Sequence, residues 1–301
     1  MPDSLHILFL TKFDEPSQRA IPAAAHLLEK AQARLTIMHV YQDKAEREHV
    51  ERAIATFFPE ADRQRGCQRF AVRGRLEDVV ERYWATAKID LIMAPSVKFF
   101  RWVNPFRTST RARLLERIPA PLWTMTAGLA NAPACGPIRR IGCYVNFVSP
   151  NVSHLQAAVR MARQLGAQVH VLCVTPSIEE DALLTTMDSD APLHSDVAEA
   201  RLLKLVQRCC PDAAIHVETG KEETKLAELA RRTRCDVVFL GEGHGLSKGL
   251  TGQPQLNRLL GRLPCPAICL DGASRYGSRW VIEPRDCDNW SAMRSLLALR
   301  A

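Results

Sequence analysis

The chain has 301 residues, of which 47% are hydrophobic, and its formal charge is +7. This length exceeds that of a typical domain, so we expect two domains of about 140 residues each. No stretch of 18 apolar residues occurs, and the first residues lack the basic region and small-residue cleavage site of a signal peptide. We therefore expect no membrane span and a cytoplasmic protein.

Strands and helices alternate along the first half of the chain. Apolar runs predict strands at Ile7–Thr11, Leu35–Tyr41, Phe70–Val72, Leu91–Ala94 and Leu122–Met125. Apolar residues at helical spacing predict helices at Ser17–Ala31, Ala45–Phe58, Leu76–Ala87 and Thr110–Arg117. This alternation predicts an α/β fold with a doubly wound parallel sheet, which binds its ligands at the carboxyl ends of the strands.

The second half of the chain repeats this plan. Val40 in LTIMHVY corresponds to Val174 in VHVLCVT at a separation of 134 residues. After an insertion the separation becomes 146, where Gly74 corresponds to Gly220, and near the end it is 145. We therefore expect a tandem repeat with domains at 1–127 and 138–273, an Ala-, Pro- and Gly-rich linker between them, and a C-terminal extension at 274–301 that includes a short helix at Trp290–Leu299.

A glycine-rich stretch follows the apolar run Val237–Leu240. Five glycines lie between residues 241 and 252, and an amphipathic segment and Pro264-Cys265-Pro266 come next. A glycine-rich turn between a buried strand and a helix lets backbone N–H groups approach a phosphate, so this stretch is a candidate anion site. The alternative is a flexible loop without a ligand, because a glycine cluster alone is a weak signal.

The residues indicate neither a metal site nor an enzyme. The ten cysteines are scattered through apolar runs, which favours reduced thiols that pack as small hydrophobic groups. No Cys-x-x-Cys pair, nucleophile elbow or P-loop is present. His244 is the one histidine of the glycine stretch, and there a hydrogen-bonding or packing role is favoured over that of a general base.

The pattern as a whole resembles a tandem universal stress protein. The carrying motifs are Thr11-Lys12-Phe13-Asp14-Glu15-Pro16-Ser17 after the first strand, the glycine stretch, and the Pro-Cys-Pro strand, and the resemblance spans Leu5 to Asp271. It implies two Rossmann-like, adenine-nucleotide-alpha-hydrolase-like domains. It also implies an intramolecular pseudo-dimer joined through the last strands, Leu122–Met125 and Ala267–Leu270, and leaves a homodimer of the chain open.

In the nucleotide-binding branch of that family, a strand-one acid and a strand-two valine flank the adenosine, and a glycine motif holds the phosphates. The first half departs from this pattern: Lys12 replaces the acid, and Pro95, Lys98 and Thr108 replace the glycines, leaving Ser109. Pro95 removes an N–H donor, and the other side chains crowd the loop. The second half departs as well, because Asn146 replaces the acid and Gln253-Pro254 fall where the family has its Gly-Ser. The resemblance therefore leaves the second half alone as a candidate site for ATP or another adenine nucleotide, at Asn146, Val174, Gly220, Gly241, Gly243, His244, Gly245 and Gly252. The alternative is that this half keeps the fold for partner contacts only.

Three other functions remain open. A basic and aromatic stretch in the first half could bind a small anion or single-stranded nucleic acid, although a solvated face is favoured; it comprises Lys98, Phe99, Phe100, Arg101, Trp102, Phe106, Arg107, Arg111 and Arg113. The chain could be an interaction or structural module in which both nucleotide pockets are vestigial. An ATP hydrolase is less favoured, because the site lacks a group that activates water. We expect a non-enzymatic stress-response protein.

Overall fold

The computed structural model describes residues 5–63, 66–95, 110–118, 120–126, 135–146, 153–175, 200, 203–204, 206–241 and 253–270. In the first half the elements are β1 (His6–Leu10), α1 (Glu15–Ala31), β2 (Arg34–Tyr41), α2 (Arg47–Thr56), β3 (Gln68–Arg73), α3 (Leu76–Thr86), β4 (Leu91–Met93), α4 (Thr110–Arg117) and β5 (Leu122–Thr124). In the second half they are β6 (Arg140–Asn146), α5 (Ser153–Leu165), β7 (Gln168–Thr175), β8 (Ala214–Thr219), α6 (Glu222–Arg232), β9 (Val237–Leu240), α7 (Gln253–Arg262) and β10 (Ala267–Cys269).

The ten strands form one sheet in the order β3-β2-β1-β4-β5-β10-β9-β6-β7-β8. All neighbours are parallel except β5 and β10, which pair antiparallel with Trp123 opposite Ile268. Outward from this central pair the two halves run through corresponding strands in the same order. The predicted α/β fold and the predicted pairing of the last strands are confirmed.

Helices cover both faces of the sheet, which explains why the strands read as apolar runs rather than as an alternation. Along β1, Ile7 and Phe9 pack into one hydrophobic cluster and Leu8 and Leu10 into the other, because successive side chains of a strand point to opposite faces. The first cluster includes apolar residues of α1, α2 and α5, and the second includes those of α3, α4, α6 and α7. Each cluster contains residues of both halves of the chain.

The residues that follow β1 determine where α1 begins. Asp14 caps the helix, because its Oδ1 accepts from Ser17 N at 3.2 Å and from Ser17 Oγ at 2.6 Å. Pro16 lies in the first turn, where the missing N–H costs nothing. The helix therefore begins at Glu15, two residues before the predicted start.

One predicted helix differs from its prediction. The segment Ala45–Phe58 consists of a 3-10 turn, Lys44–Glu46, followed by α2, which ends at Thr56. The proposed linker beyond residue 134 and all of β6 are described, whereas the C-terminal extension and its predicted helix lie outside the described residues.

Candidate functional site

Four of the predicted ligand residues lie at one edge of the sheet, at the carboxyl ends of β6 to β9. Asn146 and Val174 are register partners at the ends of β6 and β7. Gly220 follows β8, and its N–H donates to Thr175 O at 2.9 Å. Gly241 follows β9. The remaining predicted residues, Gly243, His244, Gly245 and Gly252, lie outside the described part of the chain.

This edge is also where the strand order of the second half reverses. β6 lies between β9 and β7, so the chain leaves it in one direction to reach β7 and later returns to its other side. Ligands of open α/β sheets bind in the crevice at such a switch point. A pair of hydroxyls lies at the same edge, with Thr175 Oγ1 2.8 Å from Thr219 Oγ1.

Gly220 has a conformational reason to be glycine. Its φ is +129°, a region that side-chain-bearing residues rarely adopt, and Gly74 at the same place in the first half has a φ of +154°. The Gly74 N–H donates to Tyr41 O at 2.9 Å, as the Gly220 N–H does to Thr175 O. The turn geometry shared by the two halves therefore accounts for this glycine pair without a ligand.

Gly241 leaves room for a buried histidine. A Cβ at this position would overlap the His154 ring and lie only 2.5 Å from its Cγ. His154 is 1% exposed, and its Nε2 lies 2.7 Å from Tyr144 O, which makes Nε2–H the donor to that carbonyl. The missing side chain at position 241 is thus a packing requirement of His154.

Sequence reasoning did not find His154, although a comparison of the two halves carries the signal. Its counterpart in the first half, 134 residues earlier, is the buried Ala20. The counterpart of Gly241, 146 residues earlier, is Pro95. In the first half, the larger residue of the pair is therefore Pro95, which follows the strand. In the second half, it is His154, which lies on the helix that covers the strand.

Tyr144 connects β6 to the start of α6. Its hydroxyl donates to Glu222 Oε1 at 2.7 Å, and the side chain is 1% exposed. Burial and the neighbouring Glu222 carboxylate raise the pKa of Tyr144 far above its ordinary value, so the phenol stays neutral. The Tyr144 side chain is therefore suited to a structural contact between two elements rather than to proton transfer.

The corresponding edge of the first half is filled by aromatic rings. Phe13, with a φ of +59°, stacks on His39 with centroids 4.5 Å apart and planes at 9°, and Phe57 packs edge-on against Phe13 at 5.6 Å. His39 Nδ1 lies 2.8 Å from Thr11 O. Burial lowers the pKa of His39, which favours the neutral ring. Lys12, at the place of the expected acid, is exposed.

Only part of the basic and aromatic stretch is described. Arg113 Nε lies 2.6 Å from Glu77 Oε1, whose residue is 4% exposed. This arginine therefore holds α4 to α3 by an ion pair rather than presenting its charge to a partner. Residues 98–107 lie outside the described part, and so does the side chain of Arg111.

Among the residues that the structure describes, no group of three or more His, Cys, Asp or Glu side chains is arranged to hold a metal ion. Their helices include none that is long and apolar enough to cross a membrane. The nine cysteines of this part form no disulfide.

Comparison with known proteins gives a family for the second half. Residues 137–270 match the model of the universal stress protein family. A search of curated proteins found no significant match.

Solved structures share the fold along most of the chain. A universal stress protein from Archaeoglobus fulgidus DSM 4304 has a TM-score of 0.62 and 14% identity, with 89% of this chain and 96% of that one covered. A functionally unknown protein from Pseudomonas aeruginosa PAO1 has a TM-score of 0.61 and 13% identity, with 89% and 93% covered. The cytoplasmic domain of a prokaryotic cation chloride cotransporter has a TM-score of 0.52 and 11% identity, with 91% and 98% covered. At these identities the likeness shows the fold, whereas the family match assigns the second half: residues 137–270 form a universal stress protein domain.

Proposed function

We propose that this protein is a non-enzymatic, cytoplasmic stress-response protein built as a tandem of two universal stress protein domains, residues 1–127 and 138–273. Its second domain binds ATP or another adenine nucleotide, and its first domain does not. The observation that carries the proposal is the position of Asn146 and Val174, which end adjacent strands at the switch point of the second half. At the corresponding edge of the first half, Lys12 takes the place of Asn146, and Phe13 stacks on His39.

Each proposed ligand residue has a role that suits its chemistry. The Asn146 amide hydrogen-bonds the ribose or the base, and Val174 supplies an apolar wall. The glycines from Gly241 to Gly252 bring backbone N–H groups to the phosphates. Gly220 shapes the neighbouring turn through its positive φ.

The described residues support binding rather than catalysis. Two buried polar side chains near this edge form hydrogen bonds within the described part of the chain, Tyr144 with Glu222 and His154 with Tyr144 O. Both contacts join secondary-structure elements. Neither of these two contacts places a base next to a nucleophile, the arrangement that hydrolytic chemistry requires.

Calorimetric titration of ATP into the full chain tests the proposal. We expect one site per chain, lost in Gly245→Val, because a β-branched residue resists positive φ and fills the phosphate's approach. The matched change in the first half, Pro95→Gly, should create no second site, since Lys12 and Thr108 remain. A stoichiometry of two, or binding that survives Gly245→Val, would contradict the assignment.

The His154 contact favours a second candidate function, an interaction module whose pockets are both vestigial. The ring occupies the space that a phosphate-binding glycine usually leaves open beside its Cα. The absorbance ratio at 260 and 280 nm of the purified protein, followed by chromatography of extracted small molecules, separates the two functions. Under the nucleotide proposal a released adenine compound is expected, and under the module proposal none is released and added ATP does not bind.

A further inference from the structure

A separate pocket lies at the opposite edge of the same domain, where β6 begins and α6 ends. It has a volume of about 450 Å³ and is lined by Arg140, His170, His216, Arg232, Thr233 and Arg234. Arg140 is the first residue of β6, and the two histidines are each the third residue of β7 and β8. The lining therefore combines three guanidinium groups with two imidazoles and contains no carboxylate.

The acids near this pocket are already engaged. Glu218 accepts from Arg232 Nη1 at 2.6 Å. Asp236 Oδ2 accepts from the backbone N–H groups of Arg139 and Arg140, at 2.7 and 2.8 Å. Within the described part of the chain, the side chains of Arg140 and Arg234 form no ion pair. The pocket thus presents unneutralised positive charge.

The two histidines form a pair. His170 Nδ1 lies 3.1 Å from His216 Nε2, so one ring donates to the other. The pKa of His170 is lowered by burial, by His216 and by Arg140, and that of His216 by burial and by Arg232. Besides burial, the groups that lower these two pKa values are cationic or become so on protonation, namely His216, Arg140 and Arg232. Cys235, beside Asp236 and Arg140, stays a neutral thiol because burial raises its pKa to about 11.

The same place in the first half holds a hydrogen-bonded group of side chains. There, His6 Nε2 and Tyr83 OH each lie 2.9 Å from Thr36 Oγ1, and Phe70 packs on Tyr83 with centroids 5.8 Å apart. The repeat relates the two sites residue by residue: His6 to Arg140, Thr36 to His170, Phe70 to His216, Tyr83 to Leu229 and Lys88 to Arg234. A hydrogen-bonded histidine, threonine and tyrosine in one half correspond to an arginine, a histidine and a leucine in the other, so the cationic lining comes from the side chains of the second half and not from the fold.

Arg234 adds an independent observation. Its φ is +52°, in the left-handed region, and it comes two residues after the end of α6. Glycine is the residue usually found where a helix ends in this conformation, because it has no Cβ to be strained. An arginine at position 234 therefore costs conformational free energy that a glycine would not.

We propose that this pocket binds a tetrahedral oxyanion with two negative charges, such as sulfate or the phosphate group of a small molecule. Arginine forks match the oxygen geometry of such anions, and the histidine pair supplies further positive charge when it is protonated. The site is distinct from the nucleotide site at the carboxyl edge, and it does not depend on nucleotide binding there.

Sulfate titrated into the full chain tests the proposal, because sulfate keeps its charge across the working pH range. Histidine side-chain NMR signals follow the binding, with His170 and His216 assigned by substitution. We expect both signals to shift and their pKa values to rise with sulfate. Since the bound anion favours the protonated rings, binding should tighten as the pH falls below the ordinary histidine range.

Matched variants locate the site. Arg234→Gly removes the cation while relieving the left-handed backbone, and His216→Phe restores the residue of the first half; each should weaken sulfate binding at least tenfold. Lys88→Gly, the counterpart of Arg234→Gly in the first half, should leave the affinity unchanged, as should Gly245→Val at the proposed nucleotide site. Unshifted histidine signals, or binding that survives both Arg234→Gly and His216→Phe in folded protein, would overturn the proposal.

Discussion

At the scale of single residues, the two halves differ in the side chains at two pairs of corresponding positions. His154 with Gly241 replaces Ala20 with Pro95, and His216 with Leu229 replaces Phe70 with Tyr83. Both differences change which groups lie near an edge of the sheet. One lies beside the proposed nucleotide site, and the other at the cationic pocket.

The contact between His154 and Gly241 gives a stability prediction. In Gly241→Ala the new Cβ overlaps the His154 ring, which is 1% exposed and cannot move into solvent without repacking. We expect a loss of about 1–3 kcal/mol in the free energy of unfolding, measured by urea denaturation.

The control for this prediction is a double-mutant cycle with His154→Ala. In that background the added methyl group has space, so its cost should fall below about 1 kcal/mol. An equal cost of Gly241→Ala in both backgrounds would show that the His154 ring is not what excludes a side chain at position 241.

At the scale of elements, an arginine side chain holds the helix that follows each fourth strand to its neighbouring helix. In the first half, Arg117 of α4 donates to Asp78 of α3 at 2.7 Å. In the second half, the corresponding Arg262 of α7 donates to Thr224 of α6 at 2.6 Å. The arginine is present in both halves, but its partner is a carboxylate in the first half and a hydroxyl in the second. The second half therefore keeps the contact between the two helices without an ion pair.

The first half has a second, more buried ion pair between α3 and α4. Glu77 is 4% exposed, and Arg113 Nε lies 2.6 Å from its Oε1. In Arg113→Ala the carboxylate loses this partner in a place where water cannot replace it fully. We expect a loss of about 1.5–3 kcal/mol in the free energy of unfolding.

Arg117→Ala is the matched control, because this arginine lies on the same helix and pairs with the half-exposed Asp78 and Glu81. Its loss should be clearly smaller, since exposed pairs contribute little. The ranking of the two variants by chemical denaturation is the measurement. A larger loss of stability in Arg117→Ala would mean that burial of Glu77 does not determine how much its ion pair contributes.

At the scale of the whole molecule, the order of elements could be predicted because it depends on local pattern. Apolar runs and helical spacing are properties of short segments, and the repeat fixed where the second set begins. The His154 contact with Gly241 could not be predicted in this way, since it joins residues 87 positions apart. The pairing of His170 with His216 depends likewise on the register of β7 and β8, two strands that an insertion separates in sequence.

The joint between the halves consists of main-chain pairing and buried side chains. β10 pairs with β5 over three residues, Trp123 is fully buried, and Thr126 Oγ1 lies 2.9 Å from Leu263 O. Both hydrophobic clusters continue across this joint. The two halves are therefore expected to unfold as one cooperative unit in the intact chain.

Separation of the halves should turn this internal joint into an intermolecular one. A fragment of residues 135–273 leaves β10 as an unpaired apolar edge, and such edges pair with another chain when one is available. β10 can replace β5 by pairing antiparallel with β10 of a second copy, as strands of equal length and similar burial do. We expect sedimentation at micromolar concentration to give a dimer of the fragment, and its circular dichroism to show a folded α/β protein. The intact chain, whose β10 is already paired, is the control. A folded fragment that stays monomeric would mean that the β5–β10 edge does not drive association of these domains.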